Sequence, residues 1–430
     1  MLVTTMPMAF AEGETYKVGD IIQFGSYPQS KVTDSATITE LNALAPEWEN
    51  WTSYGYYSGD GNVGSMKQGD WMRYVDIELD GEKYRGVKFT QCRPIASYFA
   101  SSTAYQNDNG YITKNVYWFK FEPIDWRVLD PATGLVMCET IIDSQPYSNT
   151  IYYNSSMSDL IYAYFNDSSY KNYANDYETS SIRQWLNNDF YNTAFTKSEK
   201  KEINTTTLNN DGYYTSSGYT GYEKLDSNST NDKIFLLSSN EVINSNFGFN
   251  SDASAYDEAR FAQDSDYARS QGLYVSAYDN NSYWLLRSPC YTSDGCCLVN
   301  NRGNSDVHSI VCYSYYGVRP ALSFNPSSEI LNPEHAHSYS SVITKQPNHL
   351  DSGEITYNCG ECGYSYTKTI PTKVHIFNGS VCTECGYDKA DTCSCRCHKT
   401  GLSALIWKFL CMFYKLFKMN PTCACGVAHY

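Results

Sequence analysis

Sulfur and imidazole are gathered at one end of this chain. Ten of its 16 cysteines lie from Cys359 onward, and of its seven histidines only His308 precedes residue 330. Such a chain has to fold in two ways. The larger part buries apolar surface, and the part too small for a core of its own relies on a metal or on disulfides. The change in composition falls near Asn325-Pro-Ser-Ser and Asn332-Pro, which read as linker.

Within the Cys-rich end, Cys359-Gly-Glu-Cys362-Gly and Cys382-Thr-Glu-Cys385-Gly are two CxxCG elements separated by 19 residues. Thiolates at the two ends of a CxxC can face one ion, and the glycine after the second lets the chain turn past it. Two such knuckles complete a tetrahedral site, so the expectation is a zinc-ribbon-like module with structural zinc on Cys359, Cys362, Cys382 and Cys385. Two disulfides are the alternative. His337, His349 and His375 are further ligands or supports of that site. Beyond it, Cys393, Cys395, Cys397 and His398 precede an apolar stretch that ends at Cys423, Cys425 and His429. The two clusters are expected to clamp that stretch by one metal or by cross-disulfides. The stretch Leu402–Lys418 is the most apolar in the protein and is interrupted by Lys408, Lys415 and Lys418. It is too short and too charged to span a bilayer, and reads as an amphipathic helix. The expectation is that residues 399–420 lie on a membrane surface or dock an envelope component. Packing on the chain's own ribbon is the alternative.

The opening residues point outward. Ala9-Phe10-Ala11 after a short apolar run fits a signal-peptidase site, so residues 1–12 are expected to be a signal-peptide remnant and the protein extracellular or at the cell surface. The net charge of −15 argues against a nucleic-acid partner, which requires clustered Lys and Arg. The 40 tyrosines, interleaved with Asn and Ser, suit a polar face for a glycan or a surface protein.

The larger part alternates strand-like runs with polar loops. Ile124–Leu129 and Leu135–Ile142 read as a hairpin joined at Pro131–Gly134. A helix is expected over Ser180–Asn192, and Thr196-Lys-Ser-Glu199 is a capping box opening another through Ile203. Lys233–Leu237 reads as a strand and Ala255–Gln271 as a helix closed by Gly272. Tyr283–Pro289, Cys297–Asn301 and Val318–Phe324 are the closing strands. This mixture is α+β.

Phe24-Gly-Ser-Tyr-Pro-Gln29, Ile124-Asp-Trp-Arg-Val-Leu129, Ser181-Ile-Arg-Gln-Trp-Leu-Asn-Asn188, Phe235-Leu-Leu-Ser238, Tyr283-Trp-Leu-Leu-Arg-Ser-Pro289 and Gly317-Val-Arg-Pro-Ala-Leu322 follow one another in this order. The series resembles the bacterial DUF6273 domain, which has no assigned chemistry. Its closing motifs resemble the end of the C-type-lectin-like fold found in sulfatase-modifying, formylglycine-generating enzymes. The resemblance implies a C-type-lectin-like domain with long loops. It also raises the alternative of a copper–thiol oxidase using Cys290 and Cys296. A carboxylate-based hydrolase is a further alternative. No nucleophile–histidine pair, HExxH helix or phosphate-binding loop is present in residues 1–330, so no catalytic residue is assigned and the chain reads as a noncatalytic binding module. Cys290, Cys296, Cys297 and Cys312 are expected to form structural disulfides in an exported domain. Arg287 and Arg319, beside buried strands, are expected to pin loops onto the sheet, with Trp126, Trp185 and Trp284 in the core. The resulting division is residues 1–12, the domain 13–327, a linker 328–336, the ribbon-like module 337–390 and the tail 391–430.

Overall fold

The structure, a computed structural model, describes residues 16–54, 71–90, 93, 104–113, 115–148, 175–210, 228–276, 281–290, 295–305, 307–311, 313–325, 339–349, 351–360, 365–370, 372–373, 375–378 and 381–386. In chain order, β1 is Ile21–Lys31 and α1 Ser35–Leu44. Strands β2 (Thr52–Ser53), β3 (Met72–Leu79) and β4 (Glu82–Phe89) lead to α2 (Ala104–Asp108) and the long β5 (Val116–Asp130). Next come β6 (Leu135–Cys138) and β7 (Asp143–Ser144). Helix α3 (Ser181–Trp185) runs through a π turn at Leu186–Phe190 into α4 (Tyr191–Ala194), and α5 is Glu199–Glu202. Strands β8 (Thr206–Leu208) and β9 (Thr230–Asp232) precede α6 (Asp266–Ser270). The domain closes with β10 (Trp284–Pro289), β11 (Gly295–Val299), β12 (Val307–Ile310), β13 (Gly317–Val318) and β14 (Ala321–Ser323).

These strands form a strand-rich α+β arrangement around two larger sheets. One runs β14-β6-β5-β4-β3-β2, with β1 also paired to β5; the other runs β12-β11-β10-β13-β7. The chain passes between the sheets in two places, from β6 to β7 and from β13 to β14. Arg319 sits at that crossing. Its Nε donates to the Cys138 carbonyl at 2.6 Å and its Nη2 reaches Glu139 at 3.3 Å.

β1 is bent where its pairing with β5 slips between Gln23 and Ser26. Gly25 sits in that bulge at φ +69°, and a Cβ there would lie 2.6 Å from the Phe195 ring and 2.9 Å from the Ala194 carbonyl. Only glycine combines that φ with that approach.

Two expected elements differ. Residues 255–271 are not one helix but a 3₁₀ turn at Glu258–Arg260 and the short α6. Their polar side chains bond the backbone instead: Asp257 accepts from the Ala259 N–H, Ser265 from the Ala268 N–H, and Arg260 donates to the Ala255 carbonyl. Lys233–Leu237 is held by a single bridge, Phe235 to Ala321, because the Asn187 amide already occupies the Lys233 and Ile234 backbone.

Asp143 on β7 is fully buried. It accepts from Tyr27 Oη at 2.8 Å, from Gln145 Nε2 at 2.9 Å and from the Ser144 N–H at 2.7 Å. Burial pushes its carboxyl up to about 6, against the opposing pull of Arg93 and those donors. The folded carboxyl therefore holds its proton more tightly than the unfolded one. Its contribution to stability is complete below the ordinary value of 3.8 and is lost as the pH rises through about 6. Urea unfolding between pH 4 and 6.5 should show this loss as a decline of roughly 3 kcal/mol, and Asp143→Asn should flatten it. Gly25→Ala should cost about 2–4 kcal/mol, read as a lower urea midpoint at unchanged slope.

Candidate metal centre and the adjoining cleft

After the domain, the strands β15 (Tyr339–Lys345), β16 (Gly353–Cys359) and β17 (Ser365–Ile370) form an antiparallel sheet. The short hairpin β18 (Phe377–Asn378) and β19 (Val381–Cys382) follows. Antiparallel return brings the β15–β16 loop beside the segment that follows β17, since Gly353 pairs with Ile370. His349 lies in that loop and His375 in that segment. The Asn348 carbonyl accepts from the Lys373 N–H at 2.8 Å, tying the two together.

The ligand atoms of His349, His375 and Cys382 lie within 4.8 Å of one another. Cys385 joins them, its Sγ 3.3 Å from His375 Nδ1. Gly386 follows at φ +74°, and its N–H donates to the Cys382 carbonyl at 3.0 Å, so the CxxCG element closes as a knuckle. His349 is 9% exposed, its Nε2 lies 2.6 Å from the Glu384 carboxylate, and its Nδ1 has no hydrogen-bond partner. Burial, and then the neighbouring His349, lower His375 to about 4, which keeps that ring neutral and its lone pair available at neutral pH. Burial of Cys382 opposes ionisation, but the donors of Cys385, Glu384 and Ile376 outweigh it and lower the thiol. Imidazoles and thiols brought together in this way are donor types able to hold a metal ion.

Of the residues expected to bind metal, Cys382 and Cys385 belong to this cluster. Cys359 ends β16, its backbone paired with Tyr339. Cys362, Cys393, Cys395, Cys397, His398, Cys423, Cys425 and His429 lie outside the described residues, as do residues 1–12 and 399–420. In the sequence, His349 and His375 stand only as further ligands or supports of the four-cysteine site. The signal that could have raised them is that each lies just outside a β-strand end of the hairpin carrying the first knuckle.

A cleft of about 450 Å³ opens between the large sheet and the C-terminal sheet. Its domain side presents Gln23, Gln29, Glu122, Asp125, Glu139 and Asp266, and its other side Ile355 and Tyr357 of β16 with Thr367 and Thr369 of β17. The carboxylates are held in place: Glu122 by Ser30 Oγ at 2.7 Å, Asp125 by Gln23 Nε2 at 3.1 Å, Asp266 by the Lys31 N–H at 3.0 Å, and Glu139 by Arg127 and Arg319. Tyr357 is raised to about 12 by burial, and then by Glu139 and Asp125, so its hydroxyl stays protonated beside them. Aromatic and apolar surface next to fixed acceptors suits a polyhydroxylated ligand.

The domain's ordered motifs have structural work. Arg287 donates to the Leu236 carbonyl at 2.8 Å, the Asn209 carbonyl at 3.3 Å and Glu241 at 2.7 Å. Arg319 also lies 5.2 Å from the Trp284 ring centroid. Trp126 Nε1 donates to the Phe24 carbonyl at 2.8 Å and Trp284 Nε1 to the Arg260 carbonyl at 3.0 Å, while Trp185 stacks on Phe190.

Residues 133–326 match the domain of unknown function DUF6273. No curated protein and no solved structure matches the chain. The DUF6273 segment begins just before β6, so the Phe24–Gln29 and Ile124–Leu129 motifs precede it. Even so, β1 and β5 share a sheet with its β6 and β14, and the folding unit is larger than the matched segment. Within the matched segment, Cys296 and Cys297 differ from the expected disulfides. Both are buried thiols, with Cys296 Sγ 3.7 Å from the Ser309 carbonyl and Cys297 Sγ 3.8 Å from that of Pro289. They are adjacent in β11 and so point to opposite faces, which keeps them from bridging each other. Cys290 is also buried, and Cys312 lies outside the described residues.

Proposed function

We propose that this chain is an exported, noncatalytic binding module of C-type-lectin-like form that takes a glycan at the bacterial cell surface. The reading further assigns a structural zinc ion to the C-terminal module and envelope or membrane-surface attachment to the tail at 399–420. The cleft carries the reading. Its volume of about 450 Å³ falls within the range of small-ligand sites. It also sets hydrogen-bond acceptors of fixed position opposite Tyr357, the arrangement by which proteins recognise sugar hydroxyls beside an apolar ring face. The Tyr- and Asn-rich loops at 149–174 and 211–227 lie outside the described residues, so the cleft is the support available for a ligand.

Glycan-array screening of the purified chain, followed by calorimetry on the strongest hit, tests this. Tyr357→Ala and Asp125→Asn should each weaken binding by about tenfold or more, because each removes a contact worth about 1.4 kcal/mol, while far-UV circular dichroism stays unchanged. An array without signal above background, or affinity indifferent to both substitutions, would reject the site.

A further inference from the structure

We infer that the C-terminal module holds its zinc ion through His349, His375, Cys382 and Cys385, with Glu384 as the positioning carboxylate, and not through the four cysteines of the two CxxCG elements. The inference rests on the zinc reading above and names its ligands.

Strand geometry separates Cys359 from the second knuckle. Gly353 pairs with Ile370 at one end of the C-terminal sheet, and β16 then runs to Cys359 at the other end. Six residue steps at about 3.3 Å each place Cys359 about 20 Å from Gly353. His349 precedes Gly353 and His375 follows Ile370, so both sit at the end away from Cys359. An ion bound at about 2.0–2.3 Å cannot bridge that length.

The imidazoles supply what the first knuckle cannot. In a tetrahedron with zinc–nitrogen and zinc–sulfur bonds of ordinary length, ligand atoms stand about 3.3–3.8 Å apart. His375 Nδ1 and Cys385 Sγ are 3.3 Å apart. His349, His375 and Cys382 present their ligand atoms within 4.8 Å of one another. The chain reaches this point from three directions: the β15–β16 loop, the segment after β17, and the knuckle.

His349 is the independent sign of a ligand. Its ring is nine-tenths buried, yet Nδ1 has no hydrogen-bond partner. A buried polar atom left in that state costs about 1–3 kcal/mol, and an ion accepting its lone pair removes the cost. Glu384 explains why the lone pair is on Nδ1. Its carboxylate accepts the proton of Nε2 at 2.6 Å, which fixes the tautomer. A carboxylate behind a histidine ligand orients the ring and raises its basicity. Glu384 lies inside the knuckle, between Cys382 and Cys385, so one tight turn supplies two thiolates and the group that aims a third ligand. Two imidazoles with two thiolates in a tetrahedral arrangement select zinc over harder ions.

The test uses the full chain purified in zinc-replete medium, with elemental analysis for metal content and cobalt(II) substitution to read thiolate number from the charge-transfer band. Cys359→Ser and Cys362→Ser should leave this site's zinc in place, whereas His375→Ala and Cys385→Ser should each lower the content by one ion per chain. Glu384→Gln keeps every ligand. It should weaken zinc affinity by about 10–100-fold while leaving the intensity of the cobalt–thiolate band per bound ion unchanged. Zinc lost from Cys359→Ser or Cys362→Ser but kept in His375→Ala would overturn the ligand set and leave the zinc reading standing. Wild-type protein without metal would end both. Should a ligand variant fail to fold, the wild-type cobalt spectrum and Glu384→Gln still decide.

Discussion

Buried guanidinium groups are the constraint on which this structure depends. Much of the domain is irregular chain, and irregular chain inside a core leaves carbonyls that no ladder satisfies. Arginine brings five donors in a rigid fork to such places. Arg260, fully buried, collects the carbonyls of Val242, Asn250, Asp252 and Ala255 at 2.9–3.2 Å. Arg93 does the same for Ser144 and Gln271, and Arg287 for Leu236 and Asn209. Each pairs with or lies near a carboxylate or amide, which keeps the buried charge tolerable. Loops that would otherwise have to stay at the surface are thereby drawn inward.

The same device joins the parts of the molecule. Arg319 stands where the chain crosses from one sheet to the other and shares Glu139 with Arg127. Arg269 pairs with Asp264 and also donates to the Thr372 carbonyl, in the segment that leads to His375. Domain, cleft and the His/Cys cluster are therefore linked through a short path. Asp264 and Glu139 line the cleft, Arg269 ties Asp264 to the Thr372 carbonyl, and three residues further along the chain is His375.

What could be read beforehand was local. The β5–β6 hairpin with its turn at Pro131–Gly134 follows from alternation and turn residues. The capping box at Thr196 and Glu199 is present in both directions, Thr196 N–H to Glu199 and Glu199 N–H to Thr196 Oγ1. The glycine after Cys385 adopts the left-handed conformation its motif requires. Nonlocal features stayed out of reach. Residues 255–271 read as a helix closed by Gly272, but that reading carries no information on the carbonyls of Val242, Asn250 and Asp252, which hold Arg260 from outside the segment. Half of the centre was legible as a CxxCG spacing. The other half depends on β16 and β17 returning antiparallel, which places His349 beside His375 across 26 residues of sequence. A periodicity of two says that strands exist, not which ends meet.

Hydrogen exchange measured by mass spectrometry on Arg260→Lys, against wild type, addresses the guanidinium account most directly. Lysine keeps the charge but cannot reach four carbonyls from one planar group. The account predicts that amides across 242–260 lose protection by at least an order of magnitude while those of β5 and β6 keep theirs. Unchanged protection across 242–260 in a folded variant would contradict it, and would show that the loops hold their course without the arginine fork.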